Sequence, residues 1–117
     1  MAGEDIVVAN IAKIYERRRA ALYALAVEYA AKAINSFRIK QRNGTFWSNQ
    51  TGIARDTMFT QAFTESDVIG FLMAHMVEYG VYLELANNGV HEAIRPTMMI
   101  YAPLFIKAAK ELFKDAA

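Results

Sequence analysis

The chain has 117 residues, which is the length of a single domain, so we treat residues 1–117 as one domain with one core. Thirteen Lys and Arg residues against twelve Asp and Glu give a net charge of +1, too little for the strong sequence-independent attraction to phosphates of a dedicated nucleic-acid binder. The absence of cysteine excludes disulfides, thiolate zinc sites and cysteine nucleophiles, and we expect an intracellular protein.

The longest wholly apolar run is Ala20–Val27, far short of the roughly 20 residues that a membrane-spanning helix needs. The N-terminus carries Glu4 and Asp5, where a secretory signal would carry Lys or Arg. We therefore expect neither a membrane span nor an export signal.

The composition is more apolar than that of an ordinary domain. The residues AVILMFWYC make up 55% of the chain and glycine adds 6 more residues, against about 45–50% apolar residues including glycine in a typical domain. A domain of this size hides only roughly two thirds of its surface on folding. We interpret the surplus as surface that other molecules cover, which indicates an assembly protein.

The first predicted element is a long helix over Asp5–Phe37, a stretch without Gly or Pro and rich in good helix formers. Apolar residues at spacings of three and four predict one buried stripe: Val7, Ile11, Ile14, Leu22, Leu25, Tyr29, Ala33 and Phe37. Arg18 lies on this stripe. It either extends its guanidinium to solvent or meets an acidic partner across an interface.

A basic connecting loop is predicted over Arg38–Thr51, with a turn at Asn43-Gly44. Phe46 and Trp47 follow among polar residues. Trp47 is either a lid over the core or a contact for a partner.

Residues Thr51–Met76 predict two strands joined by a turn at Thr64–Asp67, because the composition shifts to Thr, Phe, Val, Ile and Met. The second strand, from Val68, is apolar on both faces. Periodicity alone leaves a buried helix over Asp67–Val77 as the alternative.

The alternation in Tyr79–Leu85 predicts a short strand or extended edge. Arg95-Pro96 predicts the start of a C-terminal helix, because proline is tolerated in a first helical turn. Pro103 should kink this helix or mark its true start. Its apolar stripe is Met98, Tyr101, Phe105, Ala108 and Leu112. The predicted fold class is α+β, with the two long helices packed on a small antiparallel sheet.

Charge is divided unevenly along the chain. Residues 1–60 hold nine basic against five acidic residues, a net +4, whereas residues 61–117 hold four against seven, a net −3. Opposite charge on two faces suits head-to-tail packing around a ring, although accidental scatter on a surface explains the numbers equally well.

No catalytic signature accompanies these elements. The sequence contains no Gly-rich phosphate loop, and none of its three serines lies in a nucleophile elbow. A metal site or a hydrolase could be drawn from His75 with Glu78, or a metal site with His91 and Glu92. However, a core imidazole and a loop residue are the simpler interpretations of the two histidines. We expect no enzymatic activity, no cofactor and no metal.

Two basic and aromatic patches support an alternative function. The patches at Arg17–Arg19 and Arg38–Trp47 combine cations with aromatic rings, as in modules that bind single-stranded nucleic acid. A small DNA- or RNA-binding module is therefore the alternative hypothesis.

Three segments, in order, resemble motifs of one family. Thr51-Gly52-Ile53-Ala54-Arg55-Asp56 resembles the signature T-G-x-[LA]-R-x-S/T. Tyr79-Gly80-Val81-Tyr82-Leu83-Glu84 resembles Y-[AG]-x-Y-[LV]-E, and Arg95-Pro96-Thr97 resembles a closing R-P helix start. Together with the predicted order of elements, they resemble the HK97 gp10-like tail-component family of tailed bacteriophages across the whole chain.

This resemblance implies a structural protein of the virion neck, made in the host cytoplasm, which completes the tail or joins it to the head. It implies a homo-oligomeric ring, a hexamer by the symmetry of the family's tails. Its partners would be head-completion or adaptor proteins and tail-terminator or tail-tube proteins, with DNA only passing through the channel.

The residues that we assign to assembly are Arg18, Trp47, Thr51, Gly52, Arg55, Tyr79, Tyr82, Glu84 and Arg95. Gly52 is expected to permit a tight entry to the sheet, and Gly80 to let Tyr79 and Tyr82 pack closely on a neighbour. Glu84 is expected to pair with an arginine, either Arg55 of the same subunit or one from the next.

Overall fold

The computed structural model describes residues 16–48, 52–85, 89 and 91–114 in full, and the backbone alone over 2–15. In chain order the elements are α1 (Ala2–Arg42), α2 (Ile53–Thr57), β1 (Phe59–Glu65), β2 (Val68–Ala74), α3 (Glu78–Leu85) and α4 (Ile94–Lys114). The predicted α+β class, with two long helices and a small antiparallel sheet, is confirmed.

Helix α1 is longer than predicted, because it continues through the basic segment to Arg42. Arginine and lysine are good helix formers, and cations in the last turn favour the helix dipole. The helix ends at the predicted turn. Gly44 has φ 70°, its N–H donates to the Gln41 carbonyl, and the Thr45 N–H donates to the Lys40 carbonyl. This is a Schellman ending with glycine at its left-handed position.

The segment after α1 folds back onto the helix through Gln41, whose side chain is fully buried. Its amide nitrogen donates to the Trp47 carbonyl at 2.7 Å, and its oxygen accepts from the Phe46 N–H at 3.1 Å. Trp47 is thereby placed in the core at 5% exposure, so the lid interpretation of this residue is correct.

The hairpin confirms two strands joined by a turn. β1 and β2 pair from Phe59↔Ala74 to Glu65↔Val68, around the two-residue turn Ser66-Asp67. Residues 68–74 form a strand, so the helical alternative is wrong. The first strand begins at Phe59 and not near Thr51, because the short helix α2 precedes it.

Helix α3 occupies the segment predicted as a strand, so that prediction is wrong. A short apolar run fits both the two-residue period of a strand and the 3.6-residue period of a helix, so the sequence pattern alone does not decide between the two structures. Leu83 packs in the core, and Gly80 is also buried.

Helix α4 begins at Ile94, one residue before the predicted Arg95-Pro96. Pro96 lies in the first turn, where a missing N–H costs nothing. Pro103 does not mark the start, because the helix runs on either side of it.

The core lies between the second half of α1, the hairpin and the C-terminal helices. One cluster surrounds Phe37, Trp47, Met58 and Met73, and a second joins Ala30 and Ala33 to Phe71. From the predicted α4 stripe, Met98, Tyr101 and Phe105 pack against these clusters. Side chains of the α1 stripe before residue 16 lie outside the described residues.

Candidate assembly surface

The exposed apolar side chains of α3, together with Met76 two residues before it, are what we call the α3 ridge. Its members are Met76, Tyr79, Val81, Tyr82 and Leu85, and all are exposed. Tyr82 is 60% and Leu85 76% exposed, and the rings of Tyr79 and Tyr82 stack with centroids 6.4 Å apart. Solvent-facing sides of short helices are usually polar. Five exposed apolar side chains within ten residues make this segment a candidate interaction surface.

The inner side of α3 is held by close contact with His75. A Cβ added at Gly80 would overlap the His75 ring, so glycine is required there for packing. We expected Gly80 to admit a neighbouring backbone, but the residue that it admits is a histidine of the same chain. The His75 side chain is only 2% exposed, and its Nδ1 atom has no hydrogen-bond partner.

Glu84 links three segments of the chain in a cluster that we call the Glu84 bracket. Its Oε1 atom accepts hydrogen bonds from the Ala93 N–H at 2.7 Å and the Ile94 N–H at 3.0 Å, and lies 3.1 Å from Nε2 of His75. The two N–H groups belong to the N-terminus of α4, which attracts negative charge. Glu84 therefore caps α4 from another helix.

Burial alone would raise the pKa of Glu84, but the hydrogen bonds from His75, Ala93 and Ile94 outweigh burial and lower it. Glu84 is thus ionised at neutral pH, and Nε2 of His75 is the donor.

The expected pairing of Glu84 with Arg55 is wrong. The Arg55 Nε atom donates to Asp56 at 2.8 Å instead, and this hydrogen bond raises the pKa of Arg55 and lowers that of Asp56. Backbone donors at α4 and a buried imidazole satisfy the carboxylate. The alternative, an arginine of a neighbouring copy, stays a prediction.

Two further residues assigned to assembly, Gly52 and Arg95, are not members of the α3 ridge. Gly52 has φ 79° and accepts a hydrogen bond from the Asp56 N–H, so it opens α2 and not the sheet. Thr51 lies outside the described residues. Arg95 has 72% of its side chain exposed and lies 3.9 Å from Glu92.

A second surface is the groove between α1 and β1, which we call the α1–β1 groove. Its volume is about 440 Å³, and its lining comprises Tyr23, Val27, Ala30, Ala31, Ile34 and Arg38 of α1 and residues 59–62 of β1. β1 pairs only with β2 among the described residues. The two-residue turn makes Glu65↔Val68 a hydrogen-bonded pair, so the N–H and C=O groups of Thr60 and Ala62 point away from β2.

The basic patches are partly engaged within the chain. Nη1 of Arg18 donates to the Leu112 carbonyl at the end of α4, and Arg19 donates to Thr64 and Ser66 at the hairpin turn. Trp47 is buried and presents no ring for stacking, whereas Arg17 and Arg38 are exposed. Arg18 therefore binds a carbonyl at a helix end, where a cation is favourable.

No group of three or more histidine, aspartate or glutamate residues in the described part of the chain is placed to hold a metal ion. His75 hydrogen-bonds to Glu84, and His91 contacts the Phe46 carbonyl through Nδ1 at 2.9 Å. None of the helices in the described ranges is long and apolar enough to cross a membrane.

Sequence reasoning singled out Tyr79, Tyr82 and Glu84 for assembly, which stays a prediction, but it gave Glu84 the wrong partner within the chain and missed Gln41 and the role of His75. Gln41 carries no sequence signal, because its function depends on where the following loop returns. A histidine nine residues before a glutamate is equally uninformative until α3 is known to be a helix. Comparison of the chain with protein-family models, curated proteins and solved structures finds no match.

Proposed function

We propose that this protein is a structural component of a phage virion neck, where copies form a ring around the DNA channel that completes the tail or joins it to the head. It acts by binding neighbouring subunits in a fixed arrangement, without catalysis or a cofactor. The proposal combines the sequence resemblance to the HK97 gp10-like family with the surface of the folded chain.

The observation that carries the proposal is the apolar surface that the fold leaves uncovered. Tyr79, Tyr82 and Leu85 of the α3 ridge are 51%, 60% and 76% exposed, and large apolar side chains on a surface support a contact with another molecule. Each member of a ring contacts two neighbours through two different surfaces, and the α1–β1 groove offers a second surface on this chain.

Native mass spectrometry of the purified protein tests the ring. We expect one closed species. The tail symmetry of the family that the sequence resembles predicts a hexamer. Particle imaging of virions should place the protein between head and tail. A chain that stays monomeric at high concentration and is missing from mature particles would contradict the proposal.

A further inference from the structure

The α3 ridge lies on the surface of the subunit and carries two kinds of group. Apolar side chains dominate it, and the stacked rings of Tyr79 and Tyr82 each bring a hydroxyl. Exposed Glu78 at the start of α3 adds one negative charge. A surface that fits this ridge would offer apolar side chains together with hydrogen-bonding groups and a cation.

The α1–β1 groove has each of these properties. Tyr23 and Val27 are exposed at its wall, with Val27 at 48% exposure. The outward N–H and C=O groups of Thr60 and Ala62 are partners for tyrosine hydroxyls. Arg38 lies in the groove lining and supplies the opposite charge to Glu78.

The ridge and the groove share no residue. Contact between them on two copies is therefore heterologous, so each copy offers its ridge to one neighbour and its groove to the other. Repetition of such a contact closes a ring when the rotation between copies allows it. An uncharged strand edge, such as residues 59–64, is also a surface that proteins normally cover.

We propose that a second copy of this chain is the occupant of the groove, with the α3 ridge of one copy lying in the α1–β1 groove of the next. This inference rests on the proposed function, since it names the contact that builds the ring. Tyr79 and Tyr82 fill the groove, and Glu78 faces Arg38 across the contact. Aromatic anchors of this kind carry most of the binding energy in protein interfaces.

The contact is tested with two variants, each of which disrupts one of the two surfaces. Tyr82→Asp places a charge on the ridge, and Val27→Asp places one in the groove. We expect each variant alone to be monomeric, with association weakened about 100-fold or more, because a carboxylate buried in an apolar contact costs several kcal/mol. Sedimentation velocity and native mass spectrometry measure the loss.

Mixing the two variants gives the sharper result. The intact ridge of Val27→Asp fits the intact groove of Tyr82→Asp, whereas the reverse contact is broken on both sides. The mixture should therefore form a 1:1 dimer and nothing larger. A ridge that met another ridge would let Val27→Asp assemble alone, and that result would overturn the proposal.

A charge exchange tests the register of the contact. Glu78→Lys and Arg38→Glu should each weaken assembly about tenfold, and the double variant should regain most of the loss. If the double variant assembles no better than the weaker of the two single variants, the Glu78–Arg38 pairing is wrong.

Met99→Asp is the matched control, because Met99 is an exposed apolar residue of α4 outside both surfaces. It should assemble like the unmodified chain, and circular dichroism should show the same helix content in every variant. If the unmodified chain assembles and Val27→Asp does so equally well, the groove contact is wrong while the proposed function stands. A monomeric unmodified chain would overturn both.

Discussion

The two sides of α3 differ in the groups that contact them. The inner side is fixed by groups of the same chain, since Gly80 lies against His75 and Glu84 caps α4. The outer side presents Tyr79, Tyr82 and Leu85 to solvent. One helix thus carries the residues that determine the stability of the subunit and those that we assign to association. The following variants separate the two sides.

Gly80→Ala should have the largest effect on stability. The new methyl group would overlap the His75 ring, so the ring must move and lose its bond to Glu84. Overpacking costs about 1–3 kcal/mol, and the lost charged hydrogen bond adds about 1.5–3 kcal/mol. Denaturant unfolding measures the change. Val81→Ala, one residue along on the exposed side, is the control and should change stability little.

Glu84→Ala should be the next most destabilising change. It leaves the N–H groups of Ala93 and Ile94 and the Nε2–H of His75 without their acceptor. We expect a loss of about 3 kcal/mol, which lowers the melting temperature by roughly 10 °C. Glu84→Gln keeps one acceptor oxygen and should lose about half as much. Equal stability of Glu84→Ala and the unmodified chain would show that the bracket is not a structural contact.

Acid should remove the same contribution gradually. The pKa of Glu84 is lower in the folded chain than in the unfolded one, so the unfolded state binds the proton more readily. Its contribution is complete above the unfolded pKa of about 4.3 and disappears as pH falls through the folded pKa. Melting temperatures from pH 7 to pH 2.5 should therefore fall less steeply for Glu84→Gln. Parallel curves for the two proteins would contradict this assignment.

Tyr82→Ser should have the smallest effect on the stability of the isolated subunit, within about 0.5 kcal/mol, because the side chain is mostly exposed. The same change should nevertheless weaken self-association. Denaturant unfolding at a protein concentration too low for assembly measures the stability of the subunit. Sedimentation velocity at high protein concentration measures self-association. A variant that loses stability but assembles normally would reverse the roles given to the two sides of α3.

A salt titration addresses the nucleic-acid alternative. Arg18 and Arg19 donate to groups of their own chain, and Trp47 is buried. We expect weak binding of single-stranded DNA in low salt and none at physiological salt. Tight binding that weakens steeply with salt would favour the alternative hypothesis.

The sequence predicted elements best where one strong local signal determines them. The helix over Asp5–Phe37, the turn at Asn43-Gly44 and the hairpin all follow from neighbouring residues. The end of α1 lies five residues beyond the predicted one, and its buried face includes Ala30 and Ile34, which the predicted stripe left out. The prediction for Glu78–Leu85 was wrong because its alternation fits both a strand and a helix, and the close packing of the helix at Gly80 on His75 lies beyond any local pattern. The predicted partner of Glu84 was wrong for a similar reason. The sequence gives no indication that the N-terminus of α4 lies next to this carboxylate.

The burial of Trp47 has a practical consequence, because it is the only tryptophan in the chain and lies inside the subunit. Its intrinsic fluorescence should shift to longer wavelength when the core opens, but should stay unchanged when intact copies separate. A single optical signal can therefore tell whether a ridge variant has come apart from its neighbours or has lost its own fold.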